Sequence, residues 1–258
     1  MALPRGLLRE QRQRLIVDRI RARGAVKVSE LSRFFQTSDM TIRRDLSALE
    51  AARLVRCVHG GAMDWEKRPT FNDRAVTLSG AKAAIARRAA ELIEPGESVF
   101  VDMGSTAFAV AQELAQREGL SAFTSSIRAA RELARTGKNQ VVIFGGTVHG
   151  DFEESTVVGE FACQMAQRLR VDKAIFGVGG ITVEHGMSYF DLEEVQVRAA
   201  VLASARIVIV VADHSKFRRD DMVTLAPLER IDVIVTDAPP PKPFAEHASR
   251  HNVGILVA

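Results

Sequence analysis

The first fifty residues contain three apolar stripes at helical spacing. The stripes are formed by Leu8, Leu15, Ile16 and Ile20, then by Leu31, Phe34 and Phe35, and last by Ile42, Leu46 and Leu49. Gly24 ends the first predicted helix. Ser29 and Ser38 are the predicted N-caps of the second and third, because a serine hydroxyl can accept from a free N–H of the first turn. The pattern therefore predicts three short helices joined by tight turns.

The third predicted helix carries different chemistry on its two faces. At about 100° per residue, Arg44 points nearly opposite the apolar stripe, while Thr41 and Arg43 flank that stripe. Together with Ser38 at the helix start, these side chains suit the base edges and phosphates of a DNA major groove. The alternative is a solvated amphipathic helix, which is the favoured interpretation for this helix taken alone.

A predicted strand with a glycine turn follows the third helix. The segment 54–59 alternates apolar and polar residues and ends at Gly60-Gly61. Arg56 and His59, next to the turn at Gly60, are placed as in a wing that lies along a phosphate backbone. Three helices followed by this ribbon predict a winged helix-turn-helix.

The charge distribution agrees with a polyanion-binding head. The formal net charge of the chain is +3. Residues 1–62 contain 13 Lys and Arg but 6 Asp and Glu, whereas the rest of the chain contains 22 and 26. A basic head on a mildly acidic body indicates a nucleic-acid partner. A solvated charged surface explains the same charges equally well when they are taken alone.

From residue 82 onward, the pattern alternates between helices and strands. Strands are predicted at 98–101, 122–124, 141–144, 173–176, 207–211, 233–236 and 254–257, and helices at 106–116, 161–169 and 193–203, after a first helix marked by Ile85, Ala89 and Leu92. This alternation predicts an α/β domain with a largely parallel sheet covered on both faces. We therefore predict a winged helix-turn-helix over 1–62, a linker over 63–81 packed down by Trp65 and Phe71, and an α/β domain over 82–258.

One strand-to-helix connection has the residues of an anion site. Asp102, Gly104, Ser105 and Thr106 lie between a predicted strand and a helix. Ligands of open parallel sheets bind at the carboxyl ends of strands, and the free N–H groups of a helix start attract phosphate. The segment lacks the Gly-Lys-Ser/Thr ending of a Walker loop, and an ordinary turn is the alternative.

Other strand ends contribute further candidates for the same site. They are Gly145, Gly146, Asp191, Glu193 and Lys216. The acids could accept hydroxyls of a sugar, and the lysine could pair with a phosphate. Acids that merely favour a helix N-terminus are an equally good explanation of Glu193 and its neighbour Glu194.

Several classes of function find no support in the sequence. No apolar run approaches the roughly 20 residues of a membrane span, and the start lacks the apolar stretch of a secretory signal. The chain has 2 cysteines, so no disulfide framework is suggested, and no His/Cys/Asp spacing supports a metal site. We expect a cytoplasmic protein without cofactor or membrane partner, in which His149 and His185 are surface residues.

The residues described so far resemble the DeoR family of bacterial repressors over nearly the whole chain. The N-terminal signature is matched by Thr41-Ile42-Arg43-Arg44-Asp45-Leu46, Leu49-Glu50 and His59-Gly60-Gly61-Ala62, and the sensor domain by Asp102-x-Gly104-Ser105-Thr106, Gly145-Gly146, Asp191-x-Glu193-Glu194 and Ala212-Asp213-x-Ser215-Lys216-Phe217. The resemblance implies a second domain similar in fold to ribose-5-phosphate isomerase. It also implies an effector that is a phosphorylated sugar or polyol, with its phosphate at Gly104, Ser105 and Thr106.

The expected function is a repressor of a carbohydrate catabolic operon that binds double-stranded operator DNA as a homo-oligomer, a dimer or tetramer. The alternative is a sugar-phosphate isomerase with an added DNA-binding head, in which Glu193 or Glu194 and Lys216 move protons. The chain departs from the family pattern at Arg53, where glycine is usual, and at Ser125, Ala107 and His149 around the expected pocket. These departures bear on the turn into the wing and on the identity of the effector.

Overall fold

The structure is a computed structural model that describes residues 8–23, 25–52, 54–58, 61–64, 70–150, 154–217 and 219–258. The described residues form two compact units, one up to Asp73 and the other from Arg74. No helix in these ranges is long and apolar enough to cross a membrane.

The N-terminal unit contains the three predicted helices and a small antiparallel sheet. Its elements are α1 (Arg9–Arg23), β1 (Ala25–Lys27), α2 (Val28–Phe35), α3 (Asp39–Ala51), β2 (Val55–Val58) and β3 (Gly61–Asp64). The sheet order is β1-β3-β2. Its core buries Ile16, Ile20, Ile42, Leu46 and Leu49 among others, so the stripes of the first and third helices are confirmed in the main. In the second helix Leu31 is buried, but Phe34 and Phe35 are only partly buried.

Two details of this unit differ from the prediction. Leu8 is 70% exposed, and Val17 takes part in the core instead. Ser29 is not an N-cap, because α2 begins at Val28 and its N-cap is Lys27, which makes no side-chain hydrogen bond to the helix. The strand β1 ends at Lys27 and the helix begins at the next residue, so Ser29 already lies within the helix and cannot cap it.

The C-terminal unit is an α/β fold with a central parallel sheet. Its helices are α5 (Ser79–Ala90), α6 (Ser105–Leu114), α7 (Ile127–Leu133), α8 (Glu160–Arg168), α9 (Leu192–Ser204) and α10 (Lys242–Arg250). The central strands are β4 (Ser98–Val101), β5 (Ser121–Thr124), β6 (Gln140–Ile143), β9 (Val171–Gly177), β12 (Ala205–Val211), β14 (Val233–Thr236) and β15 (Gly254–Val257). Every pairing in this sheet is parallel, and the order is β15-β14-β12-β9-β4-β5-β6.

All seven predicted strands are present in the central sheet, and the predicted α/β class is confirmed. The prediction missed five shorter strands that pair antiparallel. These are β7 (Thr147–His149) with β8 (Thr156–Val158), and β10 (Gly180–Thr182), β11 (Gly186–Tyr189) and β13 (Val223–Ala226) in order β10-β11-β13. These strands are defined by their antiparallel partners rather than by a pattern of their own.

The segment predicted as a linker is partly ordered into secondary structure. It contains the end of β3, the short helix α4 (Phe71–Val76) and the start of α5. Phe71 is buried, whereas Trp65 lies outside the described residues. The division between the two units falls within α4. The bounds of the predicted domains stay predictions.

The order of the strands creates a switch point in the sheet. From β4 the chain moves outward through β5 and β6, and then returns to the other side of β4 to form β9 and the strands beyond it. The connections that leave β4 and β9 therefore diverge on opposite sides of one crevice. Ligands of open α/β sheets bind at such a point, outside the carboxyl ends of the strands.

Candidate functional site

The exposed face of α3 carries the candidate DNA-contacting side chains. Arg43 and Arg44 are exposed, whereas Ile42, Leu46 and Leu49 on the opposite face are buried. Ser38 is the N-cap: its Oγ accepts from the Thr41 backbone N–H at 3.2 Å and lies 2.9 Å from Thr41 Oγ1. The predicted cap is thus confirmed, and the serine links the candidate residues at the helix start.

A buried carboxylate fixes α3 against α1. Asp45 is 2% exposed and accepts from Arg12 Nε at 2.6 Å and from Gln13 Nε2 at 3.1 Å. Burial of a charged group is costly unless it is paired and hydrogen-bonded, and here both conditions hold. The ion pair therefore sets the position of α3, including the arginines that precede Asp45.

The candidate wing is the hairpin formed by β2 and β3. Its position relative to α3 is set by Glu50, whose Oε1 accepts from the backbone N–H of Cys57 at 2.6 Å. Burial and the adjacent Glu50 carboxylate raise the pKa of Cys57 to about 12, so its thiol is inert at neutral pH. Gly61 has no room for a side chain, because a Cβ there would lie 2.4 Å from the Val26 carbonyl oxygen of β1.

Several residues predicted for the wing lie outside the described residues, namely His59, Gly60 and Arg53. The backbone of Arg56 forms part of β2, but its side chain is also outside the described part of the structure.

The candidate anion site lies at the switch point of the C-terminal unit. Gly104 is the N-cap of α6, with φ 97°, a conformation that side-chain-bearing residues rarely adopt, and it makes no side-chain cap. The first N–H groups of α6 therefore have no intrahelical or side-chain acceptor at this end. The Ser105 and Thr106 hydroxyls make no hydrogen bond with any described residue. Backbone and side-chain donors are thus available at the carboxyl end of β4, where the helix dipole favours an anion.

Asp102, in the same loop, uses its carboxylate inside the protein. It is 1% exposed and accepts from Arg198 Nε at 3.1 and 2.9 Å through its two oxygens. Arg198 also donates to Glu194 at 3.1 Å and lies 4.3 Å from the centre of the Tyr189 ring. Burial alone would lower the pKa of Arg198, but the two carboxylates raise it, so the guanidinium stays charged. The carboxylate of Asp102 therefore fixes the loop to α9.

The start of α9 is the second cluster of candidate residues. Asp191 is the N-cap, and its Oδ1 accepts from the N–H groups of Glu193 at 2.9 Å and Glu194 at 3.3 Å. Its Oδ2 lies 3.1 Å from His149 Nε2, and His149 Nδ1 lies 3.6 Å from Glu193. The pKa of Asp191 is lowered, since these hydrogen bonds and His149 outweigh the opposing effect of burial. His149, partly exposed, joins β7 to this cluster.

The two glycines after β6 lead to the same cluster along the chain. Gly146 has no room for a side chain, because a Cβ there would lie 2.4 Å from the Val158 carbonyl oxygen of β8. Gly145 is exposed, and its N–H lies 3.1 Å from Met165 Sδ. Gly146 therefore permits the close pairing of β7 and β8 that places His149 beside Asp191.

Lys216 follows β12 and lies near other positively charged side chains. Burial first, and then nearby Arg219, lowers the pKa of Lys216 to about 8, and Lys82 and Arg74 act in the same direction. Lys82 is buried, and its Nζ donates to the carbonyl oxygens of Arg74 and, at 2.8 Å, of Thr77. The Lys216 backbone N–H donates to the Asp213 carbonyl oxygen at 2.9 Å, but its side-chain amine makes no hydrogen bond with a described residue, so the amine is available to an anion.

The structure joins some predicted site residues directly and leaves others apart. Arg198 and Glu194 connect Asp102 to the start of α9. His149 connects Asp191, also at the start of α9, to β7. No hydrogen bond among the described residues joins Lys216 to that set. Sequence patterns missed the roles of Arg198 and Arg12, because each acts through a contact between distant segments. They also missed the role of Glu50, which accepts from a backbone N–H seven residues away. The Glu50 role had one signal, its place in the block Leu49-Glu50.

Comparison with known proteins identifies both units. Residues 12–67 match the DeoR-like helix-turn-helix domain, and residues 78–238 match the DeoR C-terminal sensor domain. The chain is 32% identical to the glycerol-3-phosphate regulon repressor of Escherichia coli (strain K12), over 94% of this chain and 96% of that protein. It is 35% identical to the transcriptional repressor AccR of Agrobacterium fabrum, over 89% and 90%.

Two further similarities are more distant. The HTH-type transcriptional regulator IolR of Bacillus subtilis is 28% identical, over 93% of this chain and 95% of that protein. Among solved structures, ribose 5-phosphate isomerase A of Methanocaldococcus jannaschii aligns with a TM-score of 0.40 and 19% identity, over 54% of each chain.

Proposed function

This chain belongs to the DeoR family of transcriptional regulators, and we propose that it represses a carbohydrate catabolic operon and responds to a phosphorylated sugar or polyol. The names of several relatives support this: they are named as repressors, one of them of the glycerol-3-phosphate regulon. The protein acts on operator DNA, and therefore in the cytoplasm.

The observation that carries the proposed DNA contact is the exposed face of α3. Arg44 lies opposite the buried stripe and Thr41 and Arg43 flank it, at the end of the helix that Ser38 caps. In helix-turn-helix proteins this end of the recognition helix reaches base edges. We assign the wing residues Arg56, His59 and Gly60 to the phosphate backbone, which positions the head without reading sequence.

Substitution of Arg44 tests the recognition helix. We expect Arg44→Ala to weaken operator binding at least about tenfold, since a bidentate contact to a base contributes about 1–3 kcal/mol. Arg21→Ala, an equal loss of charge at an exposed position of α1, is the matched control. A mobility-shift titration at fixed salt compares both with operator and scrambled DNA. Equal weakening by the two variants would contradict a specific role of Arg44.

We place the effector at the switch point of the sensor domain. The free N–H groups of Gly104, Ser105 and Thr106, with the two hydroxyls, suit a phosphate, and Lys216 suits the same anion as a point charge.

The remaining candidates fit the sugar or polyol part. We assign Asp191 and Glu193 to its hydroxyls, beside the strand that Gly145 and Gly146 introduce. Asp102 acts as a positioning residue through Arg198.

Effector and operator must be coupled through two arrangements of the protein that the effector binds unequally. We further propose a homo-oligomer, a dimer or tetramer, because an operator with two half-sites requires two DNA-binding domains. Light scattering after size exclusion measures the mass with and without operator. A monomer bound to a complete operator would contradict this assembly.

A double variant tests the effector site. We expect Ser105→Ala/Lys216→Ala to bind operator like the wild type but to lose its response to effector. The probes are glycerol 3-phosphate and a panel of aldose and ketose phosphates, with inorganic phosphate as the control for the bare anion. Release of DNA by a sugar phosphate at wild-type concentration in the double variant would refute this site.

The isomerase alternative is not favoured. The chain belongs to a family of regulators, and both candidate acids near the start of α9 take part in contacts within the protein. An assay of aldose–ketose interconversion with the full chain checks this, and we expect no turnover.

A further inference from the structure

A second group of potential ligand atoms lies at the end of α10, away from the residues assigned above. His247 and His251 are four residues apart, so they share one face of the helix. Their ring centres are 4.5 Å apart. Both Nε2 atoms approach one oxygen of Glu229, Oε1, at 3.2 Å from His247 and 3.5 Å from His251. Three potential ligands thus converge on one point.

We propose that Glu229, His247 and His251 form a binding site for a divalent transition-metal ion, with Zn²⁺ as the best-fitting representative. Two imidazoles and one carboxylate are a donor set typical of zinc sites with an open fourth position. Imidazole also favours this class of ion over Mg²⁺ or Ca²⁺, which prefer oxygen ligands.

Two of the three distances between ligand atoms fit such an ion. With Zn–N and Zn–O bonds of about 2.0–2.2 Å, two ligand atoms of a tetrahedral site lie about 3.4 Å apart. The two measured nitrogen-to-oxygen distances, 3.2 and 3.5 Å, bracket this value. All three ligand atoms lie within 4.8 Å of one another. An ion would replace the imidazole protons that now face the carboxylate, with each ring in its Nδ1-protonated form.

Packing holds the two backbone segments in place. Phe244 and Ala248 bury the inner face of α10, and Leu228 buries the short 3₁₀ turn Leu228–Arg230 that carries Glu229. The ligand side chains themselves stay accessible, with His251 40% exposed. The site is therefore preorganised and open to an ion from solution.

Electrostatics favour a cation at this position. The Glu229 carboxylate places a negative charge beside the two imidazoles. The ligands also lie at the C-terminal end of α10, where the helix dipole is negative. A bound ion would tie the end of α10 to the turn before β14 and make the stability of the sensor domain depend on metal.

The other group of three potential ligands is a weaker candidate. His149, Asp191 and Glu194 also lie close together. However, Asp191 caps α9 and Glu194 is paired with Arg198, so metal binding there would remove contacts that the fold uses. A variant of this group, His149→Ala, therefore serves as the control for metal binding.

The test is calorimetric titration of the chelator-treated full chain with Zn²⁺ at neutral pH. We expect one ion bound at this site, and at least about tenfold weaker binding after His251→Ala or His247→Ala, since each removes one of three protein ligands. Glu229→Gln is expected to weaken binding to a smaller extent. His149→Ala should bind as the wild type does, and both cysteines are kept in every variant as a common background.

Thermal unfolding gives a second measurement. Zn²⁺ should raise the Tm of the wild type but not of His251→Ala, whose exposed side chain can be removed with its fold intact. Unchanged Zn²⁺ affinity in a His247→Ala/His251→Ala variant, no binding by the wild type, or loss of binding in His149→Ala would each overturn the proposal.

Discussion

Two helices, α3 in the head and α6 in the sensor domain, begin in opposite ways. The start of α3 is capped by the Ser38 hydroxyl, so the helix offers its side chains, including Arg43 and Arg44. The start of α6 follows Gly104 and has no side-chain cap, so it offers backbone N–H groups. A helix with a capped start suits recognition of DNA by its side chains, whereas one with an uncapped start suits binding of an anion by its backbone N–H groups.

The same two helices are each fixed by a buried aspartate that an arginine from another helix holds. In the head, Asp45 is paired with Arg12, which is 16% exposed. In the sensor domain, Asp102 is paired with Arg198, which is 6% exposed. Neither carboxylate is free for a ligand. The acidic residue in each motif thus positions the groups beside it, and the more deeply buried pair should be the more sensitive to substitution.

The largest effect is expected for Arg198→Met. It leaves Asp102 buried without its partner, which costs about 3–5 kcal/mol in the free energy of unfolding. Urea denaturation followed by circular dichroism measures this loss. Arg206→Met, at a side chain 78% exposed, is the matched control and should change stability little. Similar losses in the two variants would contradict the importance of burial.

Asp45→Asn should have a smaller effect, about 2 kcal/mol, because hydrogen bonds to charged groups contribute about 1.5–3 kcal/mol and Arg12 keeps partial access to water. Hydrogen exchange of the α1 and α3 amides measures the local loss. Asp18→Asn, an exposed acid of α1, is the control. If Asp45→Asn destabilised the chain more than Arg198→Met, the comparison between the two pairs would fail.

A change of pH should affect effector binding and DNA binding differently. Since the pKa of Lys216 is about 8, its amine is largely charged at pH 7 and largely neutral at pH 9. We expect effector binding to weaken about tenfold over this range, in proportion to the charged fraction. Arginines stay charged, so DNA binding without effector should change little. Lys216→Arg should remove the pH dependence, and its persistence in that variant would assign it to another group.

The smallest effect is expected for Ser38→Ala. Loss of the cap on α3 should cost about 1 kcal/mol, because the Thr41 N–H loses its acceptor. Hydrogen exchange of the first turn of α3 measures it. Ser47→Ala, also on α3 but away from its start, is the control. Equal protection in wild type and Ser38→Ala would show that the cap contributes nothing.

The elements that were predictable share one property, which is that their signal is local. The stripe Ile42, Leu46 and Leu49 and the cap at Ser38 lie within twelve residues, and each of the seven central strands contains a short apolar run. Ser29 shows the limit of local signals, since it has the right residue type but lies inside α2. The short antiparallel strands could not be predicted, because their partners rather than their own pattern define them.

The sequence by itself determined the two-part organisation of this protein: a basic helix-turn-helix head and an α/β domain with a glycine-led helix start. Periodicity, charge and turn residues act over short stretches, so they can be read without a partner. Tertiary structure alone decided that Asp45 and Asp102 bind arginines, that β4 and β9 form the switch point, and that Glu229 meets His247 and His251. These contacts join residues 18 to 96 positions apart. Only packing within each unit, which buries the connecting elements in that unit's core, brings them within bonding distance.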